Sequence, residues 1–213
     1  MMRQEFARQL DALHDELREM GELCQTAIGS ALGVLLEGNA GEAAHTAELE
    51  ARIDAAQRDI ERRCMRLLLL QQPIAGDLSK VACAMKMIVD LERIGDQAAD
   101  IADIVAADQV SPEDVTDEIA EMCRLTCDMV SWSLKAYENG DMELVERVLR
   151  TDDQVDALFD RAKERLVLCL RQAENDAAQA IDLMMIAKYL ERIGDHAENL
   201  AQAVQSMGHG VLN

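Results

Sequence analysis

Apolar residues recur at three- and four-residue intervals along nearly the whole chain, the spacing that lays an apolar stripe along one side of an α-helix. Five interruptions break the pattern: Gly38-Asn39-Ala40-Gly41, Gln71-Gln72-Pro73, the stretch from about residue 108 into Ser111-Pro112-Glu113-Asp114, Asn139-Gly140-Asp141, and Gln172 to Asp176. They predict six helices, over 3–37, 42–71, 75–107, 112–138, 141–171 and 176–207. Ser111 is the expected N-cap of the fourth, with Pro112 in the first turn and Glu113 and Asp114 facing the positive helix end. Links this short make consecutive helices antiparallel neighbours.

The third and sixth helices carry the same words. Leu91-Glu92-Arg93-Ile94-Gly95-Asp96 returns as Leu190 to Asp195, inside matching stripes: Ala84, Ile88, Leu91, Ile94, Gly95, Ala98, Ile101 and Val105, then Leu190, Ile193, Gly194, Ala197, Leu200 and Val204. The fold class is therefore all-α, two tandem three-helix up-down-up bundles related by internal duplication, spanning 1–109 and 110–213. Glycine inside a helix costs about 1 kcal/mol against alanine, so Gly95 and Gly194 mark places where a neighbouring helix comes close.

The polar side of these helices holds the candidate chemistry. Glu92 and Asp96, like Glu191 and Asp195, stand one turn apart on one face, where like charges disfavour the helix. Asp100 extends the first row, and Asn199 takes its place in the second. One helix earlier, Glu50 and Asp54, and then Asp152 and Asp156, repeat the spacing. In an antiparallel hairpin, residues equidistant from the turn share a height. Positions 50 and 96, and 54 and 92, are equidistant from Pro73; 152 and 195, and 156 and 191, from the Ala173–Glu174 bond. Each acid follows a core position, so four carboxylates are expected at the edge of each hairpin. Such a cluster needs protons, cationic partners or bound cations. Arg52, Arg93 and Arg192 are available for ion pairs, but their positions point to other helix faces, which favours metal. Oxygen-only ligands suit hard ions, Mg²⁺, Mn²⁺, Ca²⁺ or iron, before Zn²⁺, and a divalent or multinuclear centre fits the spacing. His196 is a candidate extra ligand or a helix-contact residue.

Composition narrows the function classes. The formal charge of −20 opposes nucleic acid and anionic membranes. The longest uncharged apolar run is Leu67 to Leu70, and the charged N-terminus does not read as a targeting segment, so a cytoplasmic protein without membrane insertion is expected. Aromatic content is 2%, replaced by strong helix formers. The six cysteines lack close zinc-type pairs and read as reduced core thiols, with Cys123 and Cys127 sharing a helix face. There is no phosphate-cradling glycine loop and no Ser/His/Asp set, and the Glu-x-x-His pairs of bundle di-iron enzymes are missing.

"LLLLQQPIAGDL" from Leu67 to Leu78, leading into "DLERIGDQAADIA", with "YLERIGDHAENLA" from Tyr189 to Ala201, resembles the PhoU family over essentially the whole chain. The resemblance implies multinuclear metal clusters on paired acid-x-x-x-Asp motifs, here Glu50, Asp54, Glu92 and Asp96, then Asp152, Asp156, Glu191 and Asp195. It further implies a non-enzymatic negative regulator of phosphate uptake and of the phosphate-starvation response, homodimeric, contacting the phosphate transporter ATPase and the sensor histidine kinase. Two other classes remain open on the residues: a carboxylate-bridged metal enzyme (Fe, Mn, Mg or Zn), and a metal-free acidic adaptor whose seams bind a partner's arginines.

Overall fold

The stripes fold as helices throughout a computed structural model that describes residues 2–39, 41–70, 75–107, 110–171 and 177–210. The helices are α1 (Met2–Glu37), α2 (Gly41–Leu70), α3 (Ala75–Ala106), α4 (Asp117–Asn139), α5 (Met142–Leu170) and α6 (Ala177–Gly210), with no strand among the described residues. Both hairpin pivots, at Pro73 and at Ala173–Glu174, lie outside the described residues, as do residues 108 and 109 at the expected boundary between halves.

The expected start of the fourth helix is corrected. Ser111 caps only a 3-10 turn, Pro112–Asp114, in which Asp114 Oδ2 accepts from the Ser111 backbone N–H at 2.8 Å and from its hydroxyl at 2.6 Å. Val115 is extended, and α4 begins after Thr116, whose Oγ1 accepts from Ile119 N. Proline satisfies a first turn, but Thr116 offers a second cap five residues on, followed by acids in the first turn, and the long helix uses that one. Asp141 caps α5 by accepting from the N–H groups of Glu143 and Leu144. Gly140, at φ 66°, ends α4, and Gly38, at φ 71°, follows α1; only glycine holds these left-handed conformations without strain.

Helices α1, α2 and α3 pack mutually, as do α4, α5 and α6, and the halves join mainly through α3 against α6, with α1 against α4. Apolar burial is continuous across both: Leu17, Met20, Leu49, Ile53, Leu91 and Ile94 in the first half meet Ile186, Leu190, Ile193 and Leu200 of the second in one core. The α3–α6 contact is antiparallel, since the Cys83 thiol approaches the Ala203 carbonyl while Asp100 reaches Tyr189. On α1, a Cβ at Gly21 would lie 2.6 Å from Leu134 Cδ2 of α4, so that glycine lets the halves close.

The two glycines of the repeated hexapeptide are not equivalent. A Cβ on Gly95 would meet Ile53 Cδ1 at 2.9 Å and Cγ2 at 3.3 Å, whereas at Gly194 the nearest atom is Asp152 Oδ1 at 3.4 Å. Gly194→Ala is therefore expected to gain part of alanine's helix preference, about 0.5 kcal/mol, while Gly95→Ala loses about 1 kcal/mol because Ile53 has to move. Paired thermal melts check this; equal shifts would contradict the packing difference.

Candidate metal centre

The seams form where the hairpin register puts them. In the first, ligand oxygens of Glu50 and Asp54 on α2 and Asp96 on α3 lie within 4.8 Å of one another; in the second, those of Asp156 on α5 and Glu191 and Asp195 on α6 do the same. Each group draws on both helices of its hairpin, because Leu49, Ile53, Leu91 and Ile94 fix the buried stripes and their neighbours inherit the edge. Three carboxylates of each seam lie this close together, and the fourth acts on them from alongside.

The fourth member differs between halves. Glu92 stays beside the first group, its carboxylate at 3.4 Å from Arg93 Nε and its side chain only 16% exposed. Asp152 sits over Gly194, near the space a Cβ would take. It stands where the first half has Glu50, and one methylene fewer keeps it inboard. Asp100 lies outside both groups: it accepts a hydrogen bond from Tyr189 of α6 and feels Arg192. His196 also faces the other half, with Nδ1 at 2.9 Å from Asp90 Oδ1, which accepts from Asn199 at 3.2 Å as well. It is a helix-contact residue, not a seam ligand.

For Arg93 the expectation that the arginines point elsewhere is corrected. Arg93 spans Glu92 and Asp96, donating to Asp96 Oδ2 at 3.0 Å. Arg58 donates to Asp54 at 3.2 Å, and Lys188 to Glu191 at 2.5 Å. Sequence reasoning missed Arg58 and Lys188, although their i+4 and i−3 offsets from Asp54 and Glu191 are the ordinary spacings of helical ion pairs. Arg93, Arg58 and Lys188 are substantially exposed, and pairs of that kind contribute little to stability.

The electrostatics remain unfavourable to anions despite these partners. Desolvation, then Asp54 and Asp96, push the Glu50 carboxyl above its ordinary range, with Arg58 opposing. Desolvation and Asp96 do the same to Glu92. In the second seam desolvation and Glu191 raise Asp156 and Asp195. Asp152 goes furthest, to about 7, through desolvation followed by Glu198, Asp156 and Asp195. Partly buried carboxylates that repel one another gain most from a hard divalent cation, and the donor set of each seam fits one. The thiols do not supply a softer site: burial raises the Cys123 and Cys127 thiols, and neither is joined by a third ligand among the described residues.

Comparison with known proteins follows the same two halves. The PhoU domain family matches residues 17–105 and again 119–204. This chain belongs to the PhoU family. It is 32% identical over 205 residues to the phosphate-specific transport system accessory protein PhoU homolog of Clostridium acetobutylicum, covering 95% of this chain and 94% of that protein. The Zymomonas mobilis PhoU homolog is 36% identical, over 93% of this chain and 84% of its own length. The crystal structure of PhoU from Pseudomonas aeruginosa superposes with a TM-score of 0.90 at 29% identity, over 96% of this chain and 99% of that one. PhoU from Streptococcus pneumoniae, at 24% identity and a TM-score of 0.87, shares the fold. Among the described residues no helix is long and apolar enough to cross a membrane.

Proposed function

We propose that this PhoU-family chain is a cytoplasmic, non-enzymatic accessory protein of phosphate transport that lowers phosphate uptake and holds the phosphate-starvation response off. The observation that carries the reading is full-length similarity to proteins named as phosphate-specific transport accessory proteins, across both repeats. It acts by contact with the transporter ATPase and the sensor histidine kinase, as a homodimer. The acidic seams supply its metal sites: Glu50, Asp54 and Asp96, supported by Glu92, and Asp156, Glu191 and Asp195, supported by Asp152. A bound Mg²⁺, Mn²⁺ or iron would neutralise the converging carboxylates and tie α2 to α3 and α5 to α6. The chain's own part is to present oxygens at hairpin spacing and to release Arg58, Arg93 and Lys188 when the ion arrives.

A metal-free adaptor is the second reading, favoured by the cations already on these acids. Deletion of the gene is expected to raise phosphate uptake and switch on a starvation reporter in phosphate-rich medium, with restoration by the wild-type gene. An unchanged reporter sinks the regulatory reading. Elemental analysis of the purified protein separates the two readings: metal that the Glu50/Asp54/Asp96 triple alanine variant loses from the first seam selects the metal sites, and a restoring wild-type protein free of metal selects the adaptor.

A further inference from the structure

Where α3 crosses α6, an open cleft of about 610 Å³ is lined by Arg93 and Gln97 from α3 and by Arg192, Asp195, His196, Glu198 and Asn199 from α6. Arg93 and Arg192 occupy the same place in the two copies of the repeat, so the antiparallel crossing brings two guanidinium groups to one opening in a chain of net charge −20. Neither is buried, and guanidinium forks suit tetrahedral oxyanions. Gln97 is only 7% exposed. Its Oε1 is the one buried side-chain oxygen or nitrogen without a hydrogen-bond partner among the described residues. A buried acceptor left unpaired is unfavourable, and because Gln97 lines the cleft, a turn of its amide toward the opening would pair that oxygen with a ligand that donates.

We infer that this cleft binds a protonated oxyanion, hydrogen phosphate, with Arg93 and Arg192 on its charged oxygens and Gln97 Oε1 accepting from its P–OH group. Donors alone would suit any oxyanion. The acceptors of the same cleft, Gln97 Oε1 and the Asp195 and Glu198 carboxylates, repel an anion with no proton to give, and sulfate has none at neutral pH. Phosphate and arsenate both keep one. The choice of phosphate among protonated oxyanions rests on the regulatory reading above; the demand for a proton donor does not. The cleft is also wired to the acidic seams. An anion drawn to Arg93 competes with Asp96, which accepts from that guanidinium at 3.0 Å, and Asp195 belongs both to the cleft and to the second carboxylate group.

Titration calorimetry of the chelator-treated full chain with inorganic phosphate, arsenate and sulfate at neutral pH and low salt tests this. Phosphate and arsenate are expected to bind, and sulfate at least about tenfold more weakly. Arg192→Ala is expected to weaken phosphate at least about tenfold, and Arg192→Lys, which keeps the charge and loses the fork, to recover only part. Gln97→Leu is expected to bind anions while losing the preference for phosphate over sulfate, in a protein whose circular dichroism is unchanged. Absent phosphate heat, equal affinity for sulfate, indifference to Arg192→Ala, or binding that vanishes on chelation each overturns the assignment, the last by moving the anion onto a metal. Should Gln97→Leu unfold, the sulfate comparison and the Arg192 pair decide alone. Failure here is separable from failure of the regulatory reading. A gene deletion that derepresses the reporter while the purified chain ignores phosphate removes only the cleft; phosphate binding without derepression removes only the regulator.

Discussion

Replacing Glu50, Asp54 and Asp96 with alanine together is expected to abolish metal retention at the first seam and, at the same time, to make the metal-free protein more stable. Their oxygens converge within 4.8 Å, and the pressure is read in the carboxyls of Glu50 and Glu92, both pushed up by desolvation and by their neighbours. Removing three of those anions relieves repulsion. In the intact protein an ion does so instead, and a ligand at one hundred times its dissociation constant contributes about 2.7 kcal/mol. For a chain of 213 residues this corresponds to a rise in melting temperature of roughly 5–10 °C on loading wild type. Elemental analysis with paired melts, before and after chelation, reads both halves of the expectation. Undiminished metal in the variant, or a metal-free variant less stable than metal-free wild type, sinks the seam as a metal site.

Asp152→Asn should stabilise the metal-free protein at pH 8 by about 1–2 kcal/mol and flatten its dependence on pH. The Asp152 carboxyl moves from 3.8 to about 7 on folding. Because its folded value lies above the unfolded one, the folded state holds a proton that the unfolded chain gives up. That contribution is fully present below about 4 and is lost as the pH rises through 7, so metal-free wild type is least stable at alkaline pH. A tenfold change in proton affinity corresponds to about 1.4 kcal/mol, reduced here by half or more because the side chain remains partly open to water. Other seam carboxyls are raised as well, so the variant keeps a shallower slope. Melts from pH 5 to 8 in chelator provide the measurement; parallel slopes for wild type and variant would exclude Asp152 as the main titrating group.

The periodicity and the duplication were legible because they are local: stripes of three and four, and a hexapeptide said twice. The seam was legible because an antiparallel hairpin converts sequence distance into height, and Glu50 opposite Asp96 and Asp156 opposite Glu191 follow from that alone. Side-chain length was not visible to the same arithmetic, which treats Glu50 and Asp152 as equals; the structure separates them, one reaching the group and the other resting over Gly194. Contacts between halves were hidden for a different reason. Asp90 to His196 and Asp100 to Tyr189 cross from one bundle to the other, and no turn fixes that register in the sequence. Read at the offset of the repeat, however, Asp90 matches Tyr189 and Asp100 matches Asn199, so the pair Asp90 with Asn199 is mirrored by Tyr189 with Asp100.

That mirrored pairing has the form of an isologous interface, in which one residue meets another and the second copy returns the contact. The chain thus holds, covalently joined, what two separate three-helix subunits would otherwise make by association. In a true twofold dimer every substitution is written into both sides at once. Fusion lifts that constraint: Gln97 and His196, or Asp100 and Asn199, occupy matching places with different chemistry, and one opening can be lined by unlike halves. A symmetric dimer would present the same groups from both sides of its axis, whereas the tandem chain can specialise each side of the axis separately.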